Sequence, residues 1–384
     1  MDADLLETVR RSLAEDGADP TPARVAAAVR ADGRLLGDSA ILALVDALRR
    51  DTTGAGPLDA LVRTDGVTDV LVNGPDQVFI DRGQGLELTG VRFGDDESVR
   101  RLAQRLAAAG GRRLDDTSPF VDVRLPDGVR FHAVLAPVSR PGTALSLRVP
   151  TRRTFSLDDL AASGTVTADG ARLLADIVGC RAAFLVSGGT GSGKTTLLAS
   201  LLGLVDPAER IVIAEDSSEL RPDHPHVVSL EGRPANVEGA GAIPLRELVR
   251  QALRMRPDRL IVGEVRGAEV VDLLAALNTG HEGGCGTIHA NSTADVPARL
   301  ESLGVAAGLP RAALHVQLVA GLNILLHLHR GADGRRRLRE VATLSTDATG
   351  IAEASPAVTF GSDGSVRTGA GAQRLEELLT RSDP

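Results

Sequence analysis

Eight consecutive residues, Gly188-Gly189-Thr190-Gly191-Ser192-Gly193-Lys194-Thr195, combine what is needed to hold the phosphates of a nucleotide. Glycines let a backbone curl so that several N–H groups and the N-terminus of the next helix point at one anion. Lys194 adds a point charge for the β- and γ-phosphates, and the Thr195 hydroxyl is a ligand for a magnesium ion bridging them, with Thr196 beside it. Both flanks that such a loop requires are present, the apolar strand AFLVS before it and the helical TTLLASLLGL after it. A nucleotide with bound Mg2+ is therefore the expected ligand.

Phosphoryl transfer also needs a carboxylate for the magnesium shell and a group to orient the attacking water. Residues 260–264 form an apolar run ending in Glu264, and residues 211–216 another ending in Glu215 and Asp216. In an open α/β sheet, ligands bind beyond the carboxyl ends of the strands, so both acids are expected at the crevice that holds Lys194. A single strand-ending acid is often only a solvated rim residue, and the pair carries more weight than either alone. Glu219, Arg266 and Glu269 follow closely and have exposed charge as their default role. His281 and His289 read as two histidines in one loop of small residues, 279–291, without an evident third metal ligand; their place after a βα unit offers them to the γ-phosphate.

The elements that must position these residues fall into three blocks. Residues 2–50 carry apolar positions at helical spacing, broken at Asp16-Gly17 and Asp32-Gly33, and predict a helical leader over 1–54. Residues 55–150 predict a small α+β domain: strands at 67–72, 77–80, 121–125, 130–135 and 144–149, and an amphipathic helix at 98–109. From 151 to 330 strands and helices alternate, with helices at 168–178, 195–204, 245–254 and 270–277 and strands at 183–187, 210–214 and 259–262, the pattern of a parallel sheet covered on both faces. Residues 331–384 hold a basic cluster, Arg335, Arg336, Arg337 and Arg339, followed by a Gly/Ala/Ser/Thr-rich stretch that predicts a weakly ordered tail.

The chain has 384 residues, 43% of them hydrophobic and 24% charged, which is ordinary for a globular protein of two to three domains. Forty-three Lys and Arg against 51 Asp and Glu leave a net charge of −8, which argues against coating nucleic acid through overall charge. Seven Phe and no Trp or Tyr leave little for stacking on bases. Cys180 and Cys285 are too few for a disulfide framework or a cysteine zinc site. The acidic start MDADLLETVRRSLAEDG lacks the basic region of a signal peptide, and no apolar run reaches the ~18 residues of a membrane span, so a cytoplasmic location is expected.

Five segments, taken in order, are similar to the secretion and pilus traffic ATPases of type II, type IV pilus and VirB-type machines: VDVRLPDGVRFHAV, GGTGSGKTT, AEDSSEL, QALRMRPDRLIVGEVRGAE and TGHEGGCGTIHANS. LVNGPDQVFIDR, the run from HVVSLEGRPANVEG to MRPDR, and GTIHANS most resemble the TadA/CpaF branch that drives tight-adherence (Flp-type) pili. The resemblance covers about residues 55–330 and implies a RecA-like P-loop NTPase domain after a smaller α+β, PAS-like domain. It also implies a homohexameric ring at the inner face of a membrane platform, converting ATP hydrolysis into movement of pilin or secreted protein; the net charge and scarce aromatics lead to the expectation of no nucleic-acid partner. By motif position, Glu215 would activate water, Glu264 and Thr195 would hold magnesium, and His281 and His289 would lie near the γ-phosphate. Arginines of the N-terminal domain reach the nucleotide in that family, which nominates Arg124, Arg130 and Arg148 as finger residues. Two departures stand out. Ser217 replaces a usual Thr, and Gly284-Cys285-Gly286 replaces a Ser-Leu-Thr run, softening the chain before His289.

Two other functions compete. Arg246, Arg250, Arg254, Arg256 and Arg259 would stripe a surface in a DNA-translocating motor, and a nucleotide-gated scaffold would bind ATP with little turnover.

Overall fold

The computed structural model describes residues 54–380 except 84, 151–153, 236–238, 332 and 362, together with 8, 9, 12, 21–34, 36, 37, 40–42, 44 and 45. The chain forms two compact units, Met1–Thr151 and Arg152–Pro384. Of the expected helical leader, the helix Pro22–Ala31 is described, with Val25 and Val29 buried against Leu44 and Val45; much of the rest of the leader lies outside the described residues.

The first unit carries a six-stranded antiparallel sheet of β1 (Asp69–Asn73), β2 (Val78–Asp81), β3 (Leu86–Leu88), β4 (Phe120–Arg124), β5 (Arg130–Val134) and β6 (Ala144–Arg148). Their order across the sheet is β3-β2-β1-β6-β5-β4. Alternation sorts the side chains: Val70, Val72, Val78, Ile80, Phe131, Ala133, Leu145 and Leu147 face one core. The helix Asp96–Ala109 covers that core with Val99, Leu102, Ala103, Leu106 and Ala107, a stripe at helical spacing. Asp95 caps it by accepting the Ser98 N–H at 2.8 Å.

The second unit has nine strands: β7 (Phe184–Gly188), β8 (Ile211–Glu215), β9 (Val227–Glu231), β10 (Arg259–Val262), β11 (Cys285–Ile288), β12 (Ile324–Arg330), β13 (Arg336–Thr346), β14 (Ala352–Phe360) and β15 (Val366–Thr368). They lie in the order β15-β14-β13-β12-β7-β11-β10-β8-β9. The six from β12 to β9 run parallel and the other three extend the sheet antiparallel. Every residue of β7, β8, β10 and β11 is buried, because helices cover both faces. Phe184, Val186, Ile211 and Ile213 pack with the helices Ala168–Gly179 and Lys194–Leu202; Leu185, Val212, Ala214 and Leu260 pack with Leu245–Leu253, Glu269–Leu277, Val296–Ala306 and Arg311–Gly321. Cys285 sits mid-sheet, where burial pushes its thiol up to about 12.

Two sequence expectations need correction. Residues 279–291 are not one loop, because β11 runs through them between β7 and β10. A four-residue strand containing a glycine has little propensity signal. Gly286 is required there, since a Cβ on it would strike the carbonyl of Val262 on the adjacent strand. Residues 331–384 are not a weakly ordered tail either: β13, β14 and β15 are completed by the helix Ala372–Leu379, and Leu338, Val341, Ala357, Phe360, Leu375 and Leu378 join the main core. The low-complexity look conceals apolar residues placed at every second or third position.

Truncation after Arg330 should therefore leave β12 an uncovered edge and strip those side chains from the core. The expected outcome is insoluble protein or loss of a cooperative thermal transition, measured by calorimetry against the full chain. A truncated chain that melts like the parent would show the extension to be dispensable.

Candidate functional site

Parallel strands deliver their C-terminal ends to one edge of the sheet, where the chain leaves β7, β8, β10 and β11. Gly188 ends β7 with φ of 151°, and a Cβ there would collide with the carbonyl of Leu328 on β12. Gly191 and Gly193 hold φ of 69° and 97°, both in the region that side chains disfavour. The chain thus curls through Gly189, Thr190 and Ser192 and enters the helix Lys194–Leu202 with Gly193 at its N-cap and Thr195 and Thr196 in its first turn. The Ser192 hydroxyl oxygen is buried without a hydrogen-bond partner, a polar group positioned for an anion.

Lys194 is 7% exposed. Its Nζ donates to the carbonyls of Gly188 and Gly189 at 2.9 Å each and lies 3.4 Å from His289 Nδ1. Across the same ring, His289 Nε2 lies 2.9 Å from Glu264 Oε1. Those partners fix the proton on Nε2, since Nδ1 faces an ammonium and must accept. Burial, and then the Lys194 charge, hold the imidazole below its usual pKa against the opposing pull of Glu264, so it is neutral at pH 7. Burial likewise lowers the Lys194 ammonium, with Glu264 restoring part of the shift. Lys194, His289 and Glu264 form one line from cation to anion at the mouth of the glycine loop.

Glu215 stands elsewhere. It is 4% exposed, and its Oε1 accepts the backbone N–H groups of Glu219 and Leu220, both at 3.1 Å. Gly263 makes room for it, as a Cβ there would come within 2.5 Å of Glu215 Cγ. Burial raises this carboxyl to about 7 although the two amides pull it down. Its contacts are those of a group fixing the 216–220 turn rather than of a base open to water. Arg266 pairs with Asp216 at 2.6 Å, and Glu269 accepts the amides of Arg266 and Gly267 at 2.6 Å each, closing the turn after β10.

His281 does not join the site. Cys285 pairs with Phe184 and Ile288 with Ser187, so residues before Cys285 leave the sheet at the edge opposite the glycine loop. At ~3.3 Å per residue, His281 and His289 are separated by more than ~13 Å along the strand. The expectation of one loop holding both histidines is corrected accordingly, and His289 alone faces Lys194.

The three nominated arginines form one rung of the first unit's sheet: Arg124 pairs with Arg130, and Arg130 with Arg148. Arg130 and Arg148 are exposed, and Arg130 makes a two-pronged pair with Asp122 at 2.6 and 3.1 Å, holding that carboxyl below its usual range. Missed by sequence reasoning is the hairpin beside the loop. Arg336 Nε donates to the Gly191 carbonyl at 3.0 Å, from a basic cluster whose spacing alone gives no sign of a partner. The oxygen donors Thr195 and Glu264 fit a hard cation such as magnesium, and no cluster of three metal-ligating His, Cys, Asp or Glu occurs among the described residues.

The family model for type II/IV secretion system protein matches residues 51–364. A putative conjugal transfer protein of Mycobacterium tuberculosis is 59% identical over 316 residues, 81% of this chain and 90% of that protein. The type IV secretion system protein PtlH of Bordetella pertussis is 33% identical over 304 residues, 72% of this chain and 89% of that one. Among solved structures, the pilus retraction motor PilT with bound ADP superposes with a TM-score of 0.51 at 20% identity, covering 82% of both chains, and shares the fold.

The raised carboxyl of Glu215 has a measurable consequence. Unfolded, the group ionises near 4.5; folded, near 7. Its stabilising contribution is full below pH 4.5 and is lost as pH rises through 7, a change of about 3 kcal/mol. Denaturant melts of wild type and Glu215→Gln should show the Gln variant gaining by that order between pH 4.5 and 8, whereas a constant difference would place the carboxyl in an ordinary solvated state.

Proposed function

The chain belongs to the type II/IV secretion system protein family, and on that premise we propose that it is a magnesium-dependent ATPase motor of a pilus or secretion machine. The observation that carries the reading is the line of Lys194, His289 and Glu264 at the mouth of a loop whose glycines take backbone angles that only glycine adopts readily. Conjugal transfer and type IV secretion, in the names of two relatives, fit such a machine. The TadA/CpaF tight-adherence branch is our finer assignment, resting on LVNGPDQVFIDR and GTIHANS. A homohexamer docked on the cytoplasmic face of a membrane platform is the matching assembly. No helix among the described residues is long and apolar enough to cross a membrane.

Bound magnesium would neutralise charge developing on the β- and γ-phosphate oxygens. Thr195 and Glu264 would hold it, and Lys194 would exchange the Gly188 and Gly189 carbonyls for phosphate oxygens. Neutral His289 donates its Nε2 proton in a hydrogen bond to Glu264, holding that side chain in orientation. We assign Glu264, rather than Glu215, the orientation of the attacking water, and give Glu215 the positioning of the 216–220 turn. The rung of Arg124, Arg130 and Arg148 is the source of a finger arginine for a nucleotide held in the ring.

Part of the basic stripe of a DNA motor is engaged within the fold. Arg246 and Arg250 both pair with Asp272, at 2.7 and 2.8 Å, and Arg259 is 3% exposed and tied to Glu209. Three of the five arginines are thus engaged locally, which weakens the stripe as a phosphate-contacting surface.

Steady-state assays on the purified chain should show magnesium-dependent ATP turnover by an oligomer. Lys194→Ala and Glu264→Gln should each reduce it by ~10²-fold or more, and Arg124→Ala by ~10-fold or more. Tight ATP binding without turnover would identify the gated scaffold instead, and an active monomer would remove the ring.

A further inference from the structure

The β12–β13 hairpin ends on two arginines, and their placement follows from the pleat. Leu328 and Leu338 form a register pair buried in the same core as the helix Lys194–Leu202. Arg330 and Arg336, two residues farther along each strand and themselves a register pair, continue that same face beyond the core to the glycine loop. Arg336 Nε reaches the Gly191 carbonyl, and its Cδ lies 3.2 Å from where a Cβ on Gly193 would stand. Arg330 Nη1 lies 3.8 Å from the corresponding position on Gly191, while its Nε donates to the carbonyl of Gly334 in the hairpin turn at 3.2 Å.

We propose that this hairpin is a second wall of the nucleotide site, with Arg336 a positioning residue for the phosphate loop and Arg330 a cation for the bound phosphates. It rests on the phosphate-loop reading of residues 188–195. A planar trans peptide points its carbonyl and its following N–H in opposite directions. Drawing the Gly191 carbonyl outward to Arg336 therefore turns the Ser192 N–H into the loop, where it meets the Gly189 carbonyl at 3.3 Å. An inward N–H is what a phosphate oxygen requires. Any motion of the C-terminal extension is thereby passed to the loop's backbone, and ordering of the loop by nucleotide is passed back. A guanidinium suits the role because it is charged at all working pH and keeps a fixed N–H fork. Both side chains are exposed, so the charge effect of Arg330 is screened by salt while the directed bond of Arg336 is not.

The test is Mg·ADP titration calorimetry and steady-state ATP turnover on the full chain, with thermal midpoints confirming that each variant is folded. Arg336→Ala should weaken ADP binding and raise KM about 5- to 10-fold, the effect of one directed hydrogen bond, with a smaller fall in kcat. Arg336→Gln keeps an N–H donor without the charge and should recover at least about half of the lost affinity. Arg330→Ala should cost about threefold at low ionic strength and less at about 0.5 M salt, where the Debye length is only a few ångströms. Arg336→Ala binding ADP within about twofold of wild type, while Lys194→Ala fails to bind, would overturn the second wall and leave the phosphate loop intact. Equal weakening in the Ala and Gln variants would overturn the positioning role. Lys194→Ala binding as tightly as wild type would instead sink the phosphate-loop reading itself.

Discussion

The burial of one ammonium group sets the terms for the second unit. Lys194 lies at the C-terminal edge of a parallel sheet, where the cost of desolvation falls on its charge and lowers its pKa. That charge is retained only because carbonyl oxygens of Gly188 and Gly189, the Nδ1 lone pair of His289 and the carboxylate of Glu264 converge on one place. Convergence requires three strand ends in order. β7 brings the glycines, β11 the histidine and β10 the glutamate, and these three are neighbours in the sheet. The strand order is thus the structural counterpart of the charge arrangement.

Much of this is legible in the sequence. The glycine loop, its strand and helix, and the acids at residues 215 and 264 are local signals, each carried by composition and spacing within about ten residues. What escapes is non-local. β11 is only four residues long, with Thr287 and Ile288 its sole β-branched residues, so its glycine reads as loop and His281 is wrongly placed beside His289. The antiparallel extension β13–β15 is hidden by its small residues and charged turns, although its alternate positions fill the core. The role of Glu215 turns on rotamer and burial, which no spacing rule states.

The extension changes how the glycine loop is supported. In a bare parallel sheet the loop after β7 is bounded by one helix and by the ends of the adjacent strands. Here β12 and β13 continue past the end of β7, and Leu328 approaches Gly188 so closely that no side chain fits there. A glycine at position 188 is therefore demanded twice, once by its backbone angle and once by a neighbour far downstream in the chain. This contact tells why the glycine loop cannot be altered independently of the C-terminal third.

Cys285 adds a property of another kind. Its thiol lies 1% exposed in a central strand of the sheet, between the strands that bear the loop and the acid, and burial keeps it protonated far above neutral pH. Alkylating reagents and oxidants act on thiolates, so the folded sheet makes this sulfur chemically silent. Its modification rate is accordingly a clock for the opening of the sheet beneath the glycine loop, one that the protein carries in its own sequence and that needs no label introduced at the site.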